Sequence, residues 1–405
     1  MNSSKPVNRG LIVLGTIVVQ MGLGTIYTWS LFNQPLVETF GWALGDVATT
    51  FSITSFSLAL ATLFAGRLQE RLGIRRLTLL AGVLLGCGLI ASSHATSLTQ
   101  LYLLAGVVVG FADGTAYITT LSNLIKWFPE RKGLISGISV GAFGTGSLLF
   151  KYVNAALIAE HGVSQAFLYW GLIVMALVAA GSLLLKEKKV PAGQPVQASG
   201  LGRDFSVREM LATKEAWLLF MIFFTACMGG LYLIGIVKDI GVRLAGMDLA
   251  TAANTVSAIA IFNTAGRIIL GALSDKVGRM RVISFTLLMT LLAVSTLSFM
   301  SLTPMLFFVC VSIIAFCFGG NITVFPAIVG DFFGLRNHSK NYGLVYQGFG
   351  IGALAGAFIA AHFGGYHTTF MVIGVMSLLS LLVTLLIKPP KTEPATRALP
   401  SRQHA

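Results

Sequence analysis

GRLQERLG at residues 66–73 returns 205 residues later as GALSDKVG at residues 271–278. Each copy is a short charged turn set between two long apolar runs. The same offset of 205 carries Trp127-Phe128 onto Phe332-Phe333, and Gly24 and Tyr27 onto Gly229 and Tyr232. An offset of 206 carries FGTGSL at 143–148 onto FGIGAL at 349–354. Four separate places agree to within one residue, so the chain is an internal duplication. A parallel repeat across a central loop is the pattern of two membrane bundles related by an axis along the bilayer normal.

Composition supplies the solvent for that duplication. The chain has 405 residues, 55% hydrophobic and 11% charged, with a mean hydropathy of +0.82. A soluble domain carries about 25% charged residues, and no soluble core of this size buries so much apolar surface. A spanning helix needs about 20 mainly apolar residues. Charged and turn-forming clusters divide the chain into twelve such spans, at 10–33, 47–66, 77–95, 99–124, 133–157, 165–186, 215–237, 250–273, 281–300, 304–328, 341–362 and 367–388. The predicted class is therefore an all-α membrane protein with twelve transmembrane helices in two six-helix halves. Residues 1–186 form the first half, 187–214 a cytoplasmic linker rich in Pro, Gly and charge, 215–388 the second half and 389–405 a cytoplasmic tail. The apolar run after Lys5 and Arg9 is too long for a signal-peptide core and has no small-residue cleavage site, so it reads as the first span.

The net charge of +13 does not point to nucleic acid, because the basic residues sit in short clusters between spans. With the N-terminus inside, 24 of the 28 Lys and Arg residues fall on inner segments. Only Lys238 and Arg243 fall on outer loops, and Lys151 and Arg267 fall within spans. The positive-inside rule then expects a multi-pass protein of the cell inner membrane with both termini cytoplasmic. Cys87, Cys227, Cys310 and Cys317 lie inside apolar runs and read as small buried hydrophobes. No cofactor and no metal site is expected. An enzyme is disfavoured, since the spans hold no nucleophile–base pair, paired acids or metal cluster.

Three ionisable residues sit well inside spans: Asp113, Lys151 and Arg267. Each costs about 2.5–3.5 kcal/mol on insertion scales, so each needs a partner or a wet cavity. None recurs in the other half: by the repeat they map to Phe318, Ala357 and Thr62. The scaffold is duplicated and the charges are not, which assigns the charges to function. Arg267, in span eight, has no acid near it in sequence. A planar guanidinium with five donors suits a carboxylate bidentately. Its alternative is a structural ion pair with an acid from another helix. Asp113 and Lys151 lie on consecutive spans and carry two readings: an ion pair within the first half, or a proton-coupling site.

Aromatic side chains are expected to enclose the same cavity: Tyr27, Trp29, Tyr117, Phe318, Tyr346 and Phe349, with Asn263 and Asn321 as polar orienting groups. Taken singly each aromatic reads more as core packing than as ligand contact; as a set beside Arg267 they suit a small anion with a short apolar body. The glycines of GAFGTG and GFGIG lie inside apolar spans, which favours close helix packing over a phosphate loop. The two charged turns read as gating loops that lock helix pairs, with Gly66, Glu70, Gly73 and Arg75 in one copy and Gly271, Asp275, Gly278 and Arg279 in the other.

GRLQERLGIRR and GALSDKVGRMR resemble the signature loops that follow spans two and eight of the major facilitator superfamily. The first copy has Glu70 where that family usually has Asp. Across almost the whole chain the resemblance narrows. KWFPERKGLISGISVGAFGTG, FNTAGRIILGALSDKVGR and NYGLVYQGFGIGA resemble stretches of the oxalate/formate antiporter and monocarboxylate transporter family. The resemblance implies that Arg267 binds substrate carboxylate. It also marks two departures. Phe349 stands where oxalate exchangers carry a lysine, which disfavours a dicarboxylate. Asn263 stands where animal monocarboxylate transporters carry a proton-coupling Asp, so proton symport would need Asp113 instead.

The expected function is a secondary transporter of small monocarboxylates (pyruvate, lactate or formate) by alternating access, as an anion exchanger or proton symporter working as a monomer in the lipid bilayer. Its partners are a small anionic carboxylate and protons or a counter-anion, with no nucleic acid. One alternative is a major facilitator carrier of another substrate class, such as drug or sugar efflux. A drug exporter for cations would place an acid in the second-half cavity, and a sugar carrier more amides and carboxylates. The other alternative is a non-transporting membrane sensor, which would bring a larger soluble appendage.

Overall fold

The computed structural model describes residues 8–190, 204–362 and 365–390. Residues 1–7, the 191–203 part of the linker and the 391–405 part of the tail lie outside the described residues, and Lys5, Arg203, Lys391, Arg397 and Arg402 with them. Every regular element among the described residues is a helix. In hydrocarbon each backbone N–H and C=O must be bonded within its own segment, which leaves the helix as the available form for a single run.

Among the described residues these helices make twelve spans. The first half contains Arg9–Gly24, continued through a 3-10 turn at Thr25–Thr28 into Ser30–Phe40; then Leu44–Leu72, Ile74–Ser92 and Leu98–Trp127; then Lys132–Leu184, which is two spans meeting at Gly162. The second half contains Lys214–Ala245, Leu249–Val277, Arg279–Phe299, Pro304–Phe333, the pair His338–Val345 and Gln347–His362, and Gly365–Leu386. Gly162 has φ 78° and ψ 170°, a conformation open to glycine, and that one residue separates spans five and six where a loop over 158–164 was expected.

The signature turns are less loop-like than their charge suggests. Span two was expected over 47–66 and runs to Leu72, so most of GRLQERLG is the last two turns of a helix. The helix ends at Gly73, with φ 75°; the repeat partner Gly278, with φ 98°, ends span eight in the same way. Charge alone does not stop a helix, and these glycines do.

The two halves meet along span five against span eight and span two against span eleven. Small residues let those backbones approach. A Cβ at Gly133 would lie 2.3 Å from the Gly271 carbonyl oxygen, and one at Gly343 would lie 2.3 Å from that of Thr62. Lipid offers no hydrophobic drive between helices, so such close packing and interhelical hydrogen bonds carry the association. Ser136 Oγ donates to Thr323 O at 2.6 Å, and Thr62 Oγ1 donates to Gly343 O at 3.1 Å, both across the interface. Leu80, Leu103, Leu292 and Leu382 are exposed on the outer faces, as a lipid-facing surface requires.

Candidate functional site

Arg267 lies on span eight at the seam between the halves and is 5% exposed. Its Nη1 donates to the main-chain oxygen of Val140, on span five of the other half, at 2.8 Å. Its Nε is fully buried and has no hydrogen-bond partner. No acid among the described residues pairs with it within 4.0 Å. Nη1 lies on the Cδ side of the guanidinium plane, so its bond to Val140 does not use the opposite edge, Nε with Nη2, and Nε on that edge has no acceptor. That edge presents two parallel N–H groups, the geometry that takes the two oxygens of one carboxylate.

The electrostatic neighbours of the guanidinium are Tyr27, Tyr117 and Tyr346. Their rings form a continuous ladder across the seam. Tyr27 meets Phe51 at 5.7 Å and Phe143 at 5.3 Å between ring centres. Phe143 meets Tyr117 edge-on at 5.5 Å, and Tyr117 meets Tyr346 at 5.4 Å. Phe349 stacks on Tyr346 at 5.1 Å. Such tilted and offset contacts stabilise each other beyond their burial, so the wall beside Arg267 is apolar on its faces and polar at its tyrosine edges.

Three of the other residues named for the cavity make helix–helix contacts. Trp29 packs with Phe32 at 6.2 Å and Phe167 at 5.8 Å, inside the first half. Asn321 accepts from Thr286 Oγ1 at 2.6 Å and ties span ten to span nine. Phe318 fills the space over Gly230, where a Cβ would come within 2.2 Å of its ring. All three are polar or aromatic residues at helix–helix contacts, which a sequence pattern cannot tell from a cavity wall. Asn263 donates to Ala315 O at 3.1 Å, one turn from Arg267, and so fixes span eight against span ten.

Asp113 is completely buried, and neither carboxylate oxygen has a hydrogen-bond partner. It does not meet Lys151, whose side chain is exposed on span five. The ion pair within the first half is therefore not formed. Tyr27 has both Arg267 and Asp113 among its electrostatic neighbours, which puts the acid close to the same aromatic group.

The residues of the charged turns link the halves at one end of the bundle, the end that carries the basic turns. Asp275, from the second half, accepts the main-chain N–H groups of Gly133 at 2.9 Å and Leu134 at 2.8 Å. These are orphan donors at the start of the helix Lys132–Leu184, where a carboxylate also meets the positive end of the helix dipole. Arg279 pairs with Asp275 at 2.7 Å and with Asp331 at 2.7 Å, and Asp331 also pairs with Lys132 across the halves. In the other copy Lys340 pairs with Glu70 at 2.5 Å, Ser339 Oγ donates to Gln69 Oε1 at 3.1 Å, and Arg75 Nη2 donates to Leu183 O at 2.5 Å.

The sequence reading missed several members of this closure. His338 lies between the halves, with Nε2 2.7 Å from Pro326 O and Nδ1 2.9 Å from Ser122 Oγ. A carbonyl only accepts, so in the neutral ring Nε2 carries the proton and Nδ1 accepts from the serine hydroxyl. Gln347 Nε2 donates to Ala59 O at 2.7 Å, from span eleven to span two. For Asp331 a signal existed: the offset of 205 sets it opposite Lys126, a charged position in both copies with the sign reversed. His338 and Gln347 offered none.

The sequence model of the Major Facilitator Superfamily matches residues 12–346 and 233–404. An uncharacterized transporter of this type from Escherichia coli (strain K12) is 44% identical, over 85% of this chain and 86% of its own. The oxalate:formate antiporter of Oxalobacter formigenes is 28% identical, over 95% of this chain and 93% of its own. Among solved structures, the transporter FucP in its outward conformation superposes with a TM-score of 0.74 at 12% identity, covering 95% of this chain and 99% of that one.

Proposed function

The chain belongs to the Major Facilitator Superfamily, and from that premise we propose that it carries small monocarboxylate anions, of the size of pyruvate, lactate or formate, by alternating access. One observation carries this reading: a buried guanidinium at the seam has one nitrogen held by Val140 O and its Nε unpartnered, with no described acid to neutralise it. A charge so placed is costly unless an anion meets it. A substrate carboxylate brings that anion, while Tyr27, Tyr117 and Tyr346 close around a short apolar body. Phe349, stacked on Tyr346, supplies no second cation for a second carboxylate.

In this reading the basic end of the bundle faces the cytoplasm of a cell with the protein in its inner membrane, both termini lie on that side, and residues 1–186 and 215–388 rock about the seam on the 187–214 linker. The closure built by Asp275, Asp331, Lys132, Lys340 and Glu70 then seals the cytoplasmic side, and substrate enters from the other. Alternating access requires those links to break when the opposite side closes. Asp113 serves as the proton site: a carboxylate with no partner and no solvent is a costly charge, which proton uptake relieves. Counterflow in proteoliposomes with labelled C1–C4 carboxylates tests the reading. Wild-type protein should exchange the monocarboxylates, and Arg267→Ala should lose that exchange. Normal exchange by Arg267→Ala would remove the arginine from the mechanism.

A further inference from the structure

The GAFGTG stretch of span five looks like helix packing, yet Gly144 does something more specific. It follows Val140 by four residues, so in the helix its N–H and the Arg267 Nη1–H both address the Val140 oxygen. A carbonyl has two lone pairs and can take both. A side chain at position i+4 normally covers the carbonyl of residue i, because helical Cβ atoms tilt toward the N-terminus. Gly144 leaves that carbonyl open. A Cβ there would lie 3.0 Å from Arg267 Nη1, 3.0 Å from Thr264 Oγ1 and 3.5 Å from Arg267 Cζ, with no backbone atom among its nearest contacts. On the far side, Gly319 of span ten gives room to the stem of the same arginine, where a Cβ would lie 3.3 Å from Arg267 Cγ.

We infer that Gly144, through the exposed Val140 carbonyl, positions the Arg267 guanidinium so that its Nε–Nη2 edge is the one offered to a carboxylate. The inference rests on the proposed carboxylate reading and adds a specificity-determining wall to it. Through a main-chain oxygen, span five decides which edge of the arginine the anion meets. Because Val140 belongs to one half and Arg267 to the other, the fork is correctly set only while spans five and eight touch at this level.

The test compares Gly144→Ala with Gly141→Ala in counterflow of labelled pyruvate, lactate and formate by purified protein in proteoliposomes. A Cβ at Gly141 meets only the flexible side chain of Ile268, at 3.1 Å from its Cγ1, and so controls for bulk on the same helix. The added methyl at Gly144 meets only side-chain ends, so the fold should survive. Gly144→Ala should raise the half-saturation concentration by about tenfold or more, as expected when a charge-assisted pair is displaced, with the maximal exchange rate little changed. Gly141→Ala should stay near wild type in both. The double variant Gly144→Ala/Thr264→Ala relieves the second contact, protects against poor accumulation of the single variant, and should keep the defect. An unchanged half-saturation in Gly144→Ala, or its return to the wild-type value in the double variant, would overturn the positioning role. Wild-type protein that takes none of the three anions would overturn the carboxylate reading and this inference with it.

Discussion

At the scale of single residues, the charges carry the argument. Arg267 and Asp113 were legible in the sequence because ionisable side chains inside spans are rare and costly, and because the repeat shows that neither is part of the duplicated scaffold. Their partners were not legible. The open alternative for Asp113, a pair with Lys151, depended on helix rotation, which sequence periodicity does not fix in spans apolar on every side. The structure instead leaves both carboxylate oxygens of Asp113 unpartnered. Asp113→Asn is isosteric and removes the titrating group. It should abolish any dependence of uptake on a pH gradient while leaving counterflow of the anion intact, measured in the same liposomes with and without an imposed gradient. A variant that keeps its full response to the gradient would exclude this carboxyl as the proton site.

At the scale of elements, the charged turns act as helix ends. GRLQERLG and GALSDKVG were legible as a repeated pair, and their equivalence survives in the matched positive φ of Gly73 and Gly278. What Asp275 engages in the other half was hidden, because besides pairing with Arg279 it accepts from the backbone N–H groups of Gly133 and Leu134, and backbone donors leave no trace in a sequence. Hydrogen bonds to charged groups contribute about 1.5–3 kcal/mol each before allowance for partial exposure. Asp275→Ala should therefore lower the melting temperature of the detergent-purified protein and leave the start of span five uncapped. Asp275→Asn, which keeps one acceptor, should fall between the two. Equal melting temperatures for all three proteins would show that the cap contributes nothing measurable. Trp29 and Asn321 make the complementary point: a residue can have the chemistry of a binding wall and still belong to a helix contact, and only the packing of neighbouring spans tells them apart.

At the scale of the whole molecule, the fold was readable from hydropathy, the basic clusters and the offset of 205, since bilayer thickness and backbone bonding leave few ways to arrange such a chain. The seam between the halves was not readable, because it is built from glycine approaches and main-chain acceptors such as Gly133 on Gly271 and Val140 for Arg267. The central claim lives at that seam: the arginine binds by its two-pronged edge and not by charge alone. Equilibrium binding of labelled pyruvate to the purified protein, wild type against Arg267→Lys, tests it most directly, since lysine keeps the positive charge and lacks the fork. The account predicts that Arg267→Lys loses most of its binding at concentrations that saturate the wild type. Equal affinity in the two proteins would contradict it.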